Sequence, residues 1–317
     1  MAAHYLEFER PIADLEAKIE ELSKLSGGGA AGALDGEIEA LRTRAAQLRR
    51  EAYANLDAWQ KTQVARHPDR PHFVDYAATL FEGFEELRGD RSFGDDQAIL
   101  GGIARFRGRA VVVMGHEKGR DTATRIKHNF GYARPEGYRK AVRLFELAEQ
   151  FRLPVISFVD TPAAYPGIAS EERGVAEAIA RSTEKALMLA VPMVAVVTGE
   201  GGSGGALGIA CGNRVLILEH AIYSVIPPEG ANSILWRGAR TPGEAARAMK
   251  ITAKDLLGMK IVDAIIPEPA GGAHADPEAA MALVGDAVEA ELKALDGLSV
   301  AELKARRAER FYAIGRN

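Results

Sequence analysis

VPMVAVVTGEGGSGGALGIACG, residues 191–212, runs from an apolar, β-branched stretch into seven glycines within fourteen positions and then resumes as small apolar residues. The first part, 191–197, is too short for an ordinary helix and rich in valine, so it reads as a buried strand. A glycine turn follows, with Ser203 placed to cap a short helix reaching Cys211. Glycine at 199, 201, 202, 204 and 205 permits positive φ and brings bare backbone N–H groups close to a ligand. A helix start behind them adds partial positive charge, the setting in which preorganised amides hold an oxyanion. Two other readings fit the same glycines. They could form only a turn, or Gly199, Gly201 and Gly204 could be the G-x-G-x-x-G of a dinucleotide site with Glu219 about twenty residues on. The short helix and the sparse βαβ repetition around the motif weigh against the dinucleotide reading.

The bulk numbers describe an ordinary soluble globular chain. Its 317 residues, 47% hydrophobic and 26% charged, suffice for one large domain or two small ones. Cys211 is the single cysteine, which leaves no internal disulfide and no Cys-based metal site, and suits a buried inert thiol. MAAHYLEFERP lacks the basic and apolar regions of a signal peptide, and no window is apolar enough to span a membrane. The expectation is a cytoplasmic protein. A net charge of −4 argues against nucleic-acid binding, yet residues 118–143 carry eight Lys/Arg against Asp121 and Glu136, a local excess of six positive charges.

Along the chain, Ile12, Leu15, Ile19, Leu22 and Leu25 form a helical stripe over 6–25. SGGGAAGALDG interrupts it, and Ile38, Leu41, Ala45 and Leu48 restart it with Asp35 as the expected N-cap. This predicts an N-terminal helical hairpin over 1–67, ended by Pro68 and Pro71, and a main domain over 68–317. Residues 98–106 and 109–116 read as a strand hairpin turning at Arg107-Gly108. A helix at 134–151, a strand at 153–159, a helix from Ser170 to about 190 and the strand at 192–198 follow. Short strands at 214–218 and 222–226, then helices at 228–236, 241–249, 252–259, 276–293 and 298–312, complete a mixed α/β architecture of repeated units.

The segments GDRSFGDDQAI (89–99), IKHNFGYARPEGYRKA (126–141), DTPAAYPG with EERG (160–174), GEGGSGGALGIA (199–210), PEGANSILW (228–236) and IIPEPAGGAH (265–274) resemble one family. It is the alpha subunit of the carboxyltransferase of bacterial multi-subunit acetyl-CoA carboxylase, in the crotonase superfamily. The match covers roughly 70–275, and the N-terminal hairpin fits the family's helical extension. Ala163 stands where the family pattern usually has glycine, which would crowd the loop if that position needs positive φ.

The resemblance implies an α/β fold of the ClpP/crotonase type, built from repeated strand-strand-helix units with the hairpin as an extension. It implies transfer of CO2 from carboxybiotin on the biotin carboxyl carrier protein to acetyl-CoA, giving malonyl-CoA in the first committed step of fatty-acid synthesis. Gly204 and Gly205 would donate backbone N–H groups to the oxyanion. Substrate contacts would come from Ala163, Ala164, Tyr165, Gly167, Gly201, Gly202, Glu229 and Gly230. No cofactor would be bound covalently. The partners implied are a zinc-ribbon beta subunit carrying much of the acyl-CoA site, the carrier protein and biotin carboxylase, in an α2β2 core, with neither membrane nor nucleic acid involved.

Beside that reading, Arg125, Lys127 and Arg139 are candidates for docking an anion. His116, His128 and His220 each lack a second ligand at helical spacing and read as structural or exposed, so no metal is expected. Glu200 and Glu229 read as loop-orienting carboxylates. An NAD-linked oxidoreductase, a stand-alone hydratase or isomerase, and a non-catalytic scaffold are the rival functions.

Overall fold

A computed structural model of the chain describes residues 4–26 and 34–316. Helices α1 (Arg10–Ser26) and α2 (Asp35–Ala54) pack against each other as the expected hairpin; the glycine-rich connection between them lies outside the described residues. Leu34 occupies the cap position of α2, so Asp35 is the first helical residue rather than the N-cap. The second helix stops well before the prolines. Asp57 opens a separate α3 (Ala58–Ala65), accepting N–H groups of Trp59 and Gln60 while the Gln60 side chain reaches back to the Asp57 N–H. This capping box turns the chain toward the body, where α3 packs on the central sheet and on a later helix.

After α4 (Phe73–Leu80) come β1 (Phe81–Glu86), β2 (Ile99–Phe106) and β3 (Arg109–His116), joined as antiparallel neighbours. Arg107 (φ 49°) and Gly108 (φ 82°) make the two-residue turn between β2 and β3, both with the positive φ that matches strand twist. Next are α5 (Thr122–Lys127), α6 (Pro135–Phe151), β4 (Val155–Thr161), α7 (Ile168–Glu172), α8 (Val175–Leu187), β5 (Met193–Gly202) and α9 (Ser203–Ala210). The helix expected from Ser170 is therefore divided, with Gly174 at φ 72° between α7 and α8. β6 (Arg214–Leu218), β7 (Ile222–Ser224), α10 (Pro228–Trp236), α11 (Pro242–Met249), α12 (Ala253–Gly258), β8 (Ala264–Ile266), α13 (Pro277–Leu295) and α14 (Val300–Ala313) follow.

The strands form one sheet in the order β1-β2-β3-β4-β5-β6-β8, with β7 pairing the far end of β5. From β3 to β8 the neighbours are parallel. β4 and β5 are buried along their whole length, which explains their unbroken apolar sequence: helices cover both faces of a parallel sheet. The β5 strand runs five residues further than its apolar part, because Glu200, Gly201 and Gly202 pair with Ile222, Tyr223 and Ser224.

The beginning of β5 is closed off by α14. The Arg307 side chain, fully buried, donates to the carbonyls of Leu187, Leu189 and Val191 and to the Asn213 side-chain oxygen. Burial lowers its pKa to about 10; the carbonyl oxygens and Asn213 satisfy the two Nη groups, while the buried Nε has no partner among the described residues.

Candidate active site

Two strand ends meet at the site. β4 leaves the sheet at Thr161 into the 162–167 loop, and β5 leaves it at Gly202 directly into α9. Gly199, Gly201, Gly202, Gly204 and Gly205 all keep negative φ; the left-handed residue is Ser203, at φ 53°. Ser203 thus makes the sharp strand-to-helix turn and does not cap the helix, whose cap position is Gly202.

Close approach, not φ, is what requires glycine here. A Cβ on Gly202 would lie 1.8 Å from the Pro162 carbonyl oxygen, and one on Gly205 2.5 Å from the Ala164 nitrogen and 2.6 Å from the Ala163 carbonyl carbon. The same atom on Gly199 would meet the Asp160 carboxylate at 2.4 Å. Gly204 differs, since its Cβ would make only ordinary contact with Ile179 at 3.5 Å. Ala163 has no positive φ, so alanine fits there without strain. First-turn amides of α9 have no acceptor within their own helix, and at Gly205 it is the vacant Cβ position that faces the Ala163–Ala164 backbone.

The remaining sequence-chosen residues fall around this contact. Tyr165 donates its N–H to the Ala133 carbonyl, and the Arg134 guanidinium lies 5.1 Å from the centre of its ring. Gly167 precedes α7 and lies under the Tyr165 ring, which a Cβ would meet at 2.4 Å. Gly201 pairs with Tyr223 in β7. Glu229 and Gly230 lie in the first turn of α10.

Two clefts flank the turn. One, of about 300 Å³, is apolar and lined by Ser203, Gly204, Leu207, Tyr223 and Val225 among others. The other, about 520 Å³, is charged and includes Arg66, Lys118, Arg125, Asp160, Glu200 and Glu229 in its walls. The β4–β5 register shifts between Val159 and Thr161, so that Asp160 stands opposite three residues of β5, 198–200. Its Oδ1 accepts the Glu200 N–H at 2.8 Å and the Lys118 ammonium at 2.5 Å. Arg66, just past α3, grips both Glu200 and Glu229. For Glu229, the upward push of burial is outweighed by Arg66, which holds its pKa below the usual carboxylate range. Sequence reading missed Arg66, Lys118 and Asp160 because nothing local marks residues that meet only through the sheet.

Half of the basic run is paired with carboxylates. Arg139 donates to Asp90 at 2.7 Å and to Glu136 at 3.1 Å, so it is a structural cation and not a free docking group, contrary to the sequence expectation. Lys118, Arg120 and Lys140 are paired with Asp160, Asp75 and Asp95. Arg125, Lys127 and Arg134 have no carboxylate partner among the described residues.

The three histidines singled out from the sequence are interior. His116, His128 and His220 are all buried, and burial drives His116 and His220 down to about 4, leaving both neutral at pH 7. Glu9, His67 and His274 bring ligand-type atoms within 4.8 Å of one another. The two imidazoles are stacked at 3.7 Å and 18°, so no point lies near both ring planes at bonding distance. The His67 ring nitrogens already engage the His4 carbonyl and the Asp69 N–H. This group knits the N-terminal segment to the body.

Solved structures share the fold at low identity. Transcarboxylase 12S, crystallised with methylmalonyl-coenzyme A and methylmalonic acid, aligns with a TM-score of 0.55 and 18% identity over 71% of this chain and 42% of that one. A Pseudomonas malonate decarboxylase hetero-tetramer in complex with coenzyme A aligns at 0.56 and 16%, over 70% and 89%. These likenesses show a shared fold, the crotonase-type α/β fold. The glycines of the supposed dinucleotide fingerprint lie in a strand and a helix rather than in a phosphate-binding turn, and the oxidoreductase and stand-alone hydratase readings are set aside.

The family model described as acetyl co-enzyme A carboxylase carboxyltransferase-like matches residues 5–315. The acetyl-coenzyme A carboxylase carboxyl transferase subunit alpha of Phenylobacterium zucineum is 80% identical over 317 residues, covering 100% of this chain and 99% of the relative. The chain belongs to this family of carboxyltransferase alpha subunits. None of its described helices is long and apolar enough to cross a membrane.

Proposed function

We propose that the chain supplies one half of an acetyl-CoA carboxyltransferase site, the half that receives carboxybiotin, while a zinc-ribbon beta subunit supplies the acyl-CoA half within an α2β2 core. The observation that carries this reading is the contact between the α9 start and the Ala163–Ala164 backbone, which leaves no room for a Cβ at Gly205. First-turn amides held that rigidly suit a developing oxyanion. Carboxybiotin, presented by its carrier protein after biotin carboxylase has acted, supplies the carboxyl group and a ring nitrogen able to take the proton from acetyl-CoA.

In this reading the residues of the chain bind and orient. The apolar cleft beside Gly204 accepts the bicyclic ring, with Leu207, Tyr223 and Val225 keeping water away from it. Gly204 and Gly205 aim N–H groups at the ring oxygen. Ala163, Ala164, Tyr165 and Gly167 wall the opposite side, and Gly201, Gly202, Glu229 and Gly230 hold the turn and the 227–230 segment in place. Arg125 and Lys127, without Arg139, remain to draw in an anionic partner or the phosphates of CoA. The α1–α2 hairpin, tied to the body through Tyr53 and His274, serves assembly.

The test is carboxyl transfer from malonyl-CoA to biocytin, run in the reverse direction with and without the co-expressed beta subunit. Turnover by the complex and little by the isolated chain is expected. Full turnover by the isolated chain would overturn the shared site.

A further inference from the structure

We propose that Arg66 is a positioning residue for carboxyl transfer, fixing the oxyanion turn against the 227–230 segment; this rests on the functional reading above. The Arg66 Nε and Nη2 donate to the two oxygens of Glu200 at 3.1 and 2.6 Å. Its Nη1 donates to Glu229 at 2.6 Å, and Nη2 reaches the other Glu229 oxygen at 3.4 Å. One guanidinium therefore holds two carboxylates from segments that share no direct hydrogen bond among these groups. Its planar fork suits that task, and a lysine ammonium does not.

The two arms differ in exposure. The Glu200 side chain is 3% exposed and that of Glu229 46%. Glu200 is also fixed through its backbone, whose N–H goes to Asp160, and it stands two positions before Gly202, the residue pressed against Pro162. Any displacement of Glu200 is thus passed to the turn. Glu229 opens α10 beside Pro227, at the edge of the charged cleft. Arg66 couples the two, and it comes from the segment that joins the N-terminal extension to the body.

Helix α3 has its own anchors. Ala58 and Ala65 pack with Ile222, Ala246 and Ile251, and the nearby Arg70 makes a fully buried pair with Glu268 at 2.8 Å. The Arg66 side chain, 28% exposed at the cleft mouth, is not needed to seat that helix.

The experiment compares wild type, Arg66→Met, Arg66→Lys, Glu229→Gln and the Arg66→Met/Glu229→Gln double variant, each co-expressed with the beta subunit and assayed for malonyl-CoA to biocytin transfer. Misplacing the turn should lower kcat by about tenfold to a hundredfold in Arg66→Met, with KM for malonyl-CoA nearly unchanged. Arg66→Lys should not restore it. Glu229→Gln leaves Glu200 paired and the melt unaltered, so its smaller kcat loss reports the bridge alone. The double variant should be no worse than Arg66→Met. Normal kcat in Arg66→Met, rescue by lysine, or additive losses in the double variant would overturn the proposal. Absence of transfer in the wild-type complex would instead sink the functional reading, and this role with it.

Discussion

Two neighbouring strands of the sheet carry the chain to the same place by different means. β4 ends at Thr161 and passes through the 162–167 loop before α7, whereas β5 runs on through Gly202 and enters α9 at Ser203 with no loop at all. The looped crossing has conformational room, and Ala163 sits in it with ordinary φ. The direct crossing has none. Its backbone lies against the other loop, so glycine is required at 202 and 205 for space, while the one left-handed turn falls to a serine. Within a glycine-rich turn, then, neighbouring glycines serve different needs, and only the contacts across the sheet separate them.

The strongest test of that difference is Gly205→Val. The side chain would enter the space held by the Ala163 and Ala164 backbone, and loss of an oxyanion donor should cut carboxyl transfer by about 10² to 10³. The assay belongs with co-purification of the beta subunit and a thermal melt. An assembled, stable variant with near-normal transfer would reduce the glycines to a turn. Gly204→Ala comes next: its Cβ meets only Ile179, at 3.5 Å. The fold should hold, and the rate should fall by less than about tenfold, under roughly 1.4 kcal/mol. Equal losses at 204 and 205 would erase the contrast. Ala163→Gly should do least, lowering stability by about 0.4–1 kcal/mol through the freer unfolded chain, with activity retained. A higher melting temperature in that variant would reveal hidden strain in the looped crossing.

Local signals carried much of the fold. Arg107-Gly108 between two apolar runs gave the β2–β3 hairpin, and the helix expected at 134–151 is α6, which begins at Pro135. The site segments were legible through their motifs, and the placement of Gly204 and Gly205 at a helix start followed from the small apolar run behind them. Other features depended on distant partners. β5 extends through Gly202 only because β7 pairs with it there, so a glycine cluster that reads as a turn is in part a strand. β1, FEGFEE, is a polar edge strand recognisable by its pairing with β2 rather than by periodicity. Asp57 and Gln60 did carry a local capping signal for α3, masked by the helical pattern on either side. Glu136, three positions before Arg139 on the same helix, was a local sign that its charge is engaged, whereas its other partner, Asp90, is 49 positions away.

The Arg307 plug bears on how the chain acquires its site during synthesis. Val191 and Arg307 are 116 positions apart, so a ribosome has already released the whole glycine turn when the guanidinium that closes the start of β5 is still unmade. Until then the carbonyls of Leu187, Leu189 and Val191 must keep water as their partner. At bacterial elongation rates of about 5–20 residues per second, the 116 positions take about 6 to 23 seconds, during which one end of the strand is unsealed. The hydrogen bonds that seal the start of β5 are therefore among the last that the nascent chain can form.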